Sequence, residues 1–295
     1  MFILISDAFD ASLQSKLAQY GEVSTDTSRL AEAEVVLVRS KTKCTQEYID
    51  QAKNLKLIIR GGVGIDNIDK DYASSKGISV RNTPTASSVA VAELAMAHMV
   101  ASSSRLIEYH NGMKDGKWLK KEMKRTELYK KKLLLVGLGH IAQEVAIRAK
   151  AFGMDVVAYD KYVSSSPLAT LVPSLDEAVA DADYISIHIP LTPETKNLFN
   201  ASLFAKMQKA PVVVNTCRGL VVNADDMVAA LDKGTVSMYC TDVYPNDPPH
   251  KDYPLLHHDR VIFTPHVGAN SQENLLRVTD EAVSIVAEYV EKGVK

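Results

Sequence analysis

The chain has 295 residues, 46% of them apolar, which is enough to bury a sizeable core in about two domains of ordinary size. A net charge of −2 and a pI near 6.5 argue against nucleic acid or a membrane surface as the main partner. No apolar run reaches the roughly 18 residues of a membrane-spanning helix, and three cysteines without a C-x-x-C pair favour neither disulfides nor a zinc site. We therefore expect a soluble, cytoplasmic protein without a bound metal.

The first third of the chain alternates apolar strand-like segments with helical ones, which predicts parallel βαβ units. The predicted strands are "FILIS", "VVLVR", "LKLIIR" and "ISVRN". A long helix is predicted from about Ser88 to His110, because Ser88 can cap its start and its first half is apolar on all sides. A helix that is apolar all round must be buried, so we expect it between domains or subunits.

The second part of the chain has six strand candidates: "LLLVG", "DVVAYD", "DYISIH", "PVVVNT", "VSMYCTD" and "VIFTPH". Among its helices, "ADDMVAALDK" is bounded by a capping Asn223 and by Gly234. The last helix, from Ser271 to about Lys292, has no strand after it, and we expect it to cross back to the first domain. The sequence thus predicts an α/β fold with two parallel sheets, in which residues 99–270 form a nucleotide-binding domain inserted into a discontinuous substrate-binding domain, residues 1–98 and 271–295.

Polar residues stand where the six strands of the second part end. Ligands of an open parallel sheet bind beyond the carboxyl ends of its strands, so these residues are candidates for a binding site. They are residues 137–142, Asp160, His188, residues 216–218, Asp242 and His266.

The segment "GLGHIA" (residues 137–142) fits a dinucleotide-binding loop. Gly137 supplies the tight turn, Gly139 lets the backbone approach a pyrophosphate, and Ala142 is allowed where a third glycine is common. A bare G-x-G-x-x-A is weak evidence, but a strand precedes it, a helix follows it and Asp160 lies about 20 residues further on. Asp160 would accept hydrogen bonds from a ribose diol and repel a 2′-phosphate, which favours NAD over NADP.

Three further residues suit hydride transfer to or from a carbonyl carbon. That reaction needs a proton donor for the oxygen, a cation that polarises the substrate, and a carboxylate that orients the donor. His266, Arg218 and Asp247 could fill these roles. Each also has an ordinary alternative, as a loop histidine, a surface arginine and a turn residue, but we expect all three at one crevice.

The chain resembles the D-isomer-specific 2-hydroxyacid dehydrogenases along almost its whole length. The matching segments, in the order that the family shows, are "RGGVGIDNID", "NTP", "VAE", "GLGHIA", "HIPLTPET", "NTCRG", "DVYPNDP" and "TPHVG". The resemblance implies that Arg218 binds the substrate's carboxylate and keto oxygen and that His266 exchanges the proton with the hydroxyl. Asp247 would pair with His266, although the family usually has glutamate there. The backbone of Gly61, Gly62, Val63 and Gly64 would hold the substrate carboxylate.

The resemblance also implies NAD as the cofactor and a homodimer built on the long helix. In the family's binding mode, His188 lies near the adenine and is not the catalytic histidine. The expected cofactor contacts are Gly137, Gly139, His140, Ile141, Asp160, His188, Pro190, Thr195, Thr216, Cys217, Asp242 and Gly268.

Within the family, "VLVRSKTKCT" and "IIRGGVG" are most similar to the 3-phosphoglycerate dehydrogenase group, whose reaction is the first step of serine synthesis. Arg39 and Arg60 would meet the substrate phosphate, since forked guanidinium donors suit a doubly charged group. The alternatives are that Arg60 only braces its glycine loop, that the substrate is an unphosphorylated acid such as glycerate, glyoxylate or lactate, or that the protein is an NADH-sensing, corepressor-like binding protein. Because the chain stops at Lys295, we expect no regulatory domain.

Overall fold

The computed structural model describes residues 1–292, which form two compact units. One unit combines residues 1–88 with residues from 269 onward, and the other consists of residues 89–268. Each unit contains one parallel β-sheet flanked by helices, so the predicted fold class, α/β with two parallel sheets, is confirmed. The sequence-based domain limits, after residues 98 and 270, stay a prediction.

Residues 1–292 contain strands and helices that alternate along much of the chain. The strands are β1 (Phe2–Ile5), β2 (Glu22–Ser24), β3 (Val35–Val38), β4 (Leu57–Arg60), β5 (Ser79–Asn82), β6 (Lys132–Val136), β7 (Asp155–Tyr159), β8 (Thr170–Leu171), β9 (Tyr184–Ile187), β10 (Val212–Asn215), β11 (Met238–Thr241) and β12 (Val261–Phe263). The α-helices are α1 (Ser12–Leu17), α2 (Gln46–Gln51), α3 (Lys70–Ser75), α4 (Ser88–Ser104), α5 (Leu106–Lys114), α6 (His140–Ala151), α7 (Leu175–Ala180), α8 (Ala201–Phe204), α9 (Ala224–Lys233) and α10 (Gln272–Lys292).

The sheet of the first unit has the strand order β2-β1-β3-β4-β5. Its central strands are apolar on both faces because helices cover both sides, and alternate residues enter separate cores. Val36 and Val38 pack in the core that includes α2 and α3, whereas Val35 and Leu37 pack in the core that includes α1 and α10. The last helix therefore packs on the first sheet, although 180 residues of the other unit precede it in sequence.

The sheet of the second unit has the strand order β12-β11-β10-β9-β6-β7-β8. The chain starts in the middle at β6, runs to β8 on one side, and returns to β9 before it continues to β12 on the other. Read from β8, this is the 3-2-1-4-5-6 order of dinucleotide-binding sheets with one further strand. The order in which the chain adds strands to the sheet reverses at β6 and β9. These two strands are parallel neighbours, with Leu133 beside Tyr184. A ligand crevice is expected at that point of the sheet.

Two short strands were not predicted from the sequence. β2 has three residues and β8 has two, and both lie at a sheet edge. A strand of this length shows no alternation to detect, and its edge position removes the need for apolar residues on both faces.

The single helix predicted from Ser88 to His110 is wrong, since the structure divides it at Arg105. This residue adopts a left-handed conformation with φ of 53°, between α4 and α5. The hydroxyl groups of Ser102, Ser103 and Ser104 donate to carbonyl groups three or four residues earlier, which competes with helix continuation. The apolar first half of α4 is buried as predicted, with Ala92, Ala95 and Met99 in the core of the second unit.

The predicted limits of the helix after β10 are confirmed. The side chain of Asn223 accepts a hydrogen bond from the backbone N–H of Asp226, and Gly234 ends α9 with φ of 72°. No helix within residues 1–292 is long and apolar enough to cross a membrane.

Candidate active site

The carboxyl ends of strands in the second unit carry the residues that the sequence singled out. Because all neighbouring strands are parallel, these ends lie at the same edge of the sheet. Gly137 follows β6, Asp160 follows β7 and His188 follows β9. Thr216 follows β10, Asp242 follows β11, and His266 stands three residues beyond β12. The fold therefore brings these predicted residues to one edge, and their roles stay predictions.

The glycine loop between β6 and α6 is shaped for an anion. Gly137 has φ of 89°, and a Cβ atom there would lie 2.5 Å from the carbonyl oxygen of His188. Gly139 precedes α6, where a Cβ atom would meet nothing within 4 Å. No side chain in the described part of the chain caps this helix, so its first N–H groups, including those of His140 and Ile141, are available to a ligand. The loop thus fits the pyrophosphate of a dinucleotide.

Asp160 organises the same loop. Its carboxylate accepts hydrogen bonds from the backbone N–H groups of Leu138 at 2.7 Å, Tyr162 at 2.8 Å and Val163 at 3.0 Å. Burial by itself would raise the pKa of Asp160, but these N–H donors outweigh it and the pKa lies below its usual value. Asp160 is therefore a fixed anion at the position expected for the cofactor ribose. The ammonium group of Lys161 beside it pairs with Glu194 at 2.8 Å.

The segment after β9 is fixed by local hydrogen bonds. The imidazole Nε2 of His188 lies 2.8 Å from the hydroxyl of Ser186, and burial lowers the pKa of His188 to about 4. This histidine is thus neutral at physiological pH. The hydroxyl of Thr195 donates to the carbonyl of Pro190 at 2.6 Å, which closes the turn that was predicted to face the cofactor.

Asn215, which sequence reasoning did not select, shapes the turn that carries Arg218. Its buried side chain accepts hydrogen bonds from the N–H of Cys217 at 3.1 Å and donates to the carbonyl of Arg218 at 3.0 Å. Burial raises the pKa of the Cys217 thiol to about 11, so the thiol stays protonated. The buried hydroxyl of Thr216 has no hydrogen-bond partner among residues 1–292, which suits a residue that meets a cofactor.

The loops that carry Arg218 and Asp247 are in direct contact. The residue after Arg218 is Gly219, and a Cβ atom there would lie 2.2 Å from the backbone carbon of Tyr244. Only glycine allows the two backbones to approach so closely. The guanidinium of Arg218 also donates to the carbonyl of Cys217 at 2.6 Å, which directs its side chain along its own turn.

His266 and Asp247 form the predicted pair, since Nδ1 of His266 hydrogen-bonds to Oδ2 of Asp247. Aspartate is one methylene shorter than the family's usual glutamate, yet it reaches the imidazole. The side chains are 39% and 46% exposed, so a substrate can reach them. With Nδ1 engaged by the carboxylate, Nε2 is the ring atom left to exchange a proton.

Asp242 is a buried carboxylate beneath the loop of His266. It accepts hydrogen bonds from the hydroxyl of Thr264 at 2.6 Å, the N–H of Val267 at 2.9 Å and the N–H of Gly268 at 2.8 Å. These bonds satisfy a carboxylate that is only 1% exposed. Its predicted cofactor contact stays a prediction, and the structure gives it an additional task in shaping residues 264–268.

The residues predicted to bind substrate lie at the ends of two neighbouring strands of the first unit: Arg39 follows β3, and residues 60–64 end and follow β4. Gly62 has φ of 140°, and a Cβ atom there would lie 1.5 Å from Nη1 of Arg60, so the guanidinium covers the backbone of this glycine. In the same loop, the carbonyl of Val63 accepts a hydrogen bond from Asn82 at 2.6 Å. The guanidinium of Arg39 makes two long contacts, to the carbonyls of Ala8 at 3.4 Å and Ala269 at 3.5 Å.

Comparisons with known proteins identify the family of this chain. Residues 96–268 match the sequence model of the D-isomer specific 2-hydroxyacid dehydrogenase, NAD binding domain. A D-3-phosphoglycerate dehydrogenase of Methanocaldococcus jannaschii is 40% identical over 98% of this chain and 57% of its own length. A hydroxypyruvate reductase of Thermotoga maritima is 42% identical over 86% of this chain and 84% of its own length.

A solved structure of the same family is similar to this chain. A D-lactate dehydrogenase of Aquifex aeolicus, complexed with NAD and lactic acid, superposes with a TM-score of 0.88 at 29% identity over 99% of this chain and 96% of its own. The chain spans about half the length of several phosphoglycerate dehydrogenases that it matches. It belongs to the family of D-isomer-specific 2-hydroxyacid dehydrogenases, and residues 96–268 form the NAD-binding domain of that family.

Proposed function

We propose that this protein oxidises D-3-phosphoglycerate to 3-phosphohydroxypyruvate with NAD, which is the first step of serine biosynthesis. The observation that carries the proposal is the pairing of His266 with Asp247, whose loop packs at Tyr244 against Gly219, the residue after Arg218. This arrangement supplies a proton acceptor, a group that orients it, and a cation for the substrate.

Each of these residues has a separate task in the proposed reaction. Nε2 of His266 takes the proton from the substrate hydroxyl, and Asp247 stabilises the imidazolium that forms. Arg218 holds the substrate carboxylate and the oxygen that becomes a carbonyl. Bound NAD would supply the hydride acceptor for the hydrogen on the substrate carbon that carries the hydroxyl. The loop of residues 137–142, Asp160 and Thr216 would hold that cofactor.

Two arginines support a phosphorylated substrate. Arg60 lies across the glycine loop that is proposed to bind the carboxylate, and the guanidinium of Arg39 makes long contacts to the carbonyl oxygens of Ala8 and Ala269. Burial lowers the pKa of Arg39, but an arginine stays charged at neutral pH. A doubly charged phosphate would offer such groups shorter, charge-assisted hydrogen bonds.

The substrate is tested by following NADH oxidation with 3-phosphohydroxypyruvate and, separately, with hydroxypyruvate, glyoxylate and pyruvate. We expect a clear preference for the phosphorylated acid. In Arg60→Ala the preference in kcat/KM should fall about 10- to 100-fold, because a hydrogen bond to a charged group contributes about 1.5–3 kcal/mol. Arg29→Ala is a matched control, since Arg29 is an arginine of the same unit that pairs with Glu22 and Glu32.

A second candidate is the same chemistry on an unphosphorylated 2-hydroxy acid. It is favoured by the hydroxypyruvate reductase relative, which this chain matches over most of that protein's length. Rates on hydroxypyruvate, glyoxylate or pyruvate that equal the rate on the phosphorylated acid, with no effect of Arg60→Ala, would support this candidate and contradict the first.

The proposed preference for NAD over NADP rests on the anionic Asp160. We expect Asp160→Asn to lower the ratio of the NADPH dissociation constant to the NADH dissociation constant by about tenfold or more. The reason is that the carboxylate and the 2′-phosphate of NADPH are like charges, whose contact costs several kcal/mol. Asparagine keeps one acceptor oxygen, which can serve either the N–H of Leu138, bound to Oδ2 of Asp160, or the N–H groups of Tyr162 and Val163, bound to Oδ1. Titration by NADH fluorescence measures both constants, and an unchanged ratio would remove Asp160 from this role.

The protein is also proposed to be a homodimer in the cytoplasm. Leu106, Met113 and Trp118, on and just after α5, are 59%, 56% and 70% exposed, and a second copy could cover them. The cysteines Cys44, Cys217 and Cys240 are free thiols, which suits a reducing compartment. Sedimentation equilibrium should give twice the chain mass, with a shift toward monomer in Trp118→Ser. A monomeric wild type would refute the dimer, and cell fractionation tests the location.

A further inference from the structure

A buried histidine on α4 lies outside every role described so far. His98 is 3% exposed, and its Nε2 lies 3.2 Å from the hydroxyl oxygen of Thr264. A polar ring in a core needs a hydrogen-bond partner to offset the loss of water, and this contact supplies one. The partner is a residue of the loop that leads to His266.

The hydrogen bonds around Thr264 have a defined direction. Its hydroxyl donates to Oδ1 of Asp242 at 2.6 Å, because the carboxylate can only accept. The hydroxyl hydrogen is therefore in use, and the oxygen must accept from Nε2–H of His98. This assigns the Nε2-protonated tautomer to His98. Burial lowers the pKa of His98, against the opposing effect of Asp242, which agrees with a neutral ring.

The chain of hydrogen bonds continues to the backbone on the far side of His266. Asp242 accepts from the N–H groups of Val267 and Gly268, the two residues that follow His266. His266 itself has φ of 53°, a left-handed conformation that a non-glycine residue adopts only when its surroundings hold it. Asp242 provides that constraint, because it binds Thr264 before His266 and the N–H groups of Val267 and Gly268 after it.

We propose that His98 is a positioning residue for His266, which it holds in place through Thr264 and Asp242. A buried hydrogen-bond chain of this kind is cooperative, since each bond polarises the next. Without the donor at residue 98, the Thr264 hydroxyl gains rotational freedom and its bond to Asp242 weakens. The loop of residues 264–268 then samples other conformations, and Nε2 of His266 spends less time in its productive position. The catalytic part of this inference rests on the proposed function.

The test compares wild type with His98→Leu and His98→Gln in the full chain. Leucine removes the donor and fills the space of the ring with an apolar group, whereas glutamine can present an N–H near the position of Nε2. Met99→Leu is the control for disturbance of the same buried helix, because Met99 is also fully buried but packs among apolar residues. Hydrogen exchange at the amides of Val267 and Gly268 reports on the loop without any need for turnover.

In His98→Leu we expect these two amides to exchange about five- to tenfold faster, which is the effect of one lost buried hydrogen bond. We expect kcat to fall about tenfold, because small displacements of a catalytic group are costly, while NADH affinity changes less than kcat because the glycine loop after β6 is not disturbed. His98→Gln should restore both values, and Met99→Leu should leave both unchanged.

The inference is overturned if His98→Leu exchanges and turns over like wild type, or if Met99→Leu produces the same changes. It is also overturned if His98→Gln is as impaired as His98→Leu at equal folded fraction. A wild type that is inactive on every keto acid would refute the proposed function instead, and the exchange rates would still decide whether His98 holds the loop.

Discussion

Replacement of His266 by alanine should lower turnover of the keto acid by about 10²–10⁴-fold, the usual contribution of general acid–base catalysis. The structure shows how the position of this side chain is set. Nδ1 of His266 is bound to Asp247, and Thr264, Val267 and Gly268 donate to Asp242, so the position of Nε2 is set by several contacts. NADH binding should persist, because the proposed pyrophosphate site lies at the glycine loop after β6.

Stopped-flow measurement of NADH oxidation and fluorescence titration of NADH together test this expectation. His250→Ala is a suitable control, since His250 is an exposed histidine of the segment that also carries Asp247. Turnover near that of wild type in His266→Ala would remove His266 from the proton-transfer role. Loss of NADH binding would instead indicate a structural defect.

Replacement of Arg218 by lysine should lower kcat/KM by about 10²–10³-fold, although the charge is kept. A guanidinium presents two parallel donors to a carboxylate and its neighbouring oxygen, whereas an ammonium acts as a point charge. The turn of Arg218 is rigid, because Asn215 bonds to its carbonyl and Gly219 packs against the backbone of Tyr244. A lysine on this turn cannot move closer to recover the lost geometry.

Steady-state kinetics of the keto acid at saturating NADH measure the effect. Arg260→Lys serves as the control, because the guanidinium of Arg260 donates to the carbonyl of Leu231 at 2.9 Å and belongs to a structural contact. If Arg218→Lys kept the wild-type kcat/KM, bidentate binding of the substrate would be excluded.

Together, the two variants distinguish chemistry from binding. Loss of the proton acceptor should lower kcat more than it changes KM, since substrate contacts through Arg218 persist in His266→Ala. Loss of the forked donors should affect both kcat and KM, because Arg218 is proposed to hold the substrate in the ground state and in the transition state. A similar pattern in both variants would mean that one of the two assignments is incorrect.

Structural features that depend on a few neighbouring residues could be predicted from the sequence. Strands β6, β7, β9, β10, β11 and β12 are mostly apolar segments, and the candidate residues follow each of them within three positions. A parallel sheet brings such ends to one edge. The segment "GLGHIA" and the caps of α9 are likewise local, since each depends on the conformation of one turn. The fold class, the edge that carries the site and the candidate residues of that edge follow from these features.

Other features depend on contacts between residues far apart in the sequence, and only the tertiary structure decided them. Whether Asp247 could reach His266 with one methylene fewer depends on how the loops after β11 and β12 pack. The bonds of Asp242 to residues 264–268 have the same origin, and the contact of His98 with Thr264 spans 166 positions. The break at Arg105 depends on competition between serine hydroxyl groups and the helix, which hydrophobic periodicity does not record. The sequence by itself determined which chemical groups reach the edge of the sheet, because the alternation of strand and helix patterns already predicts parallel strands. The orientation of these groups was decided by buried hydrogen bonds that exist only after the chain has folded.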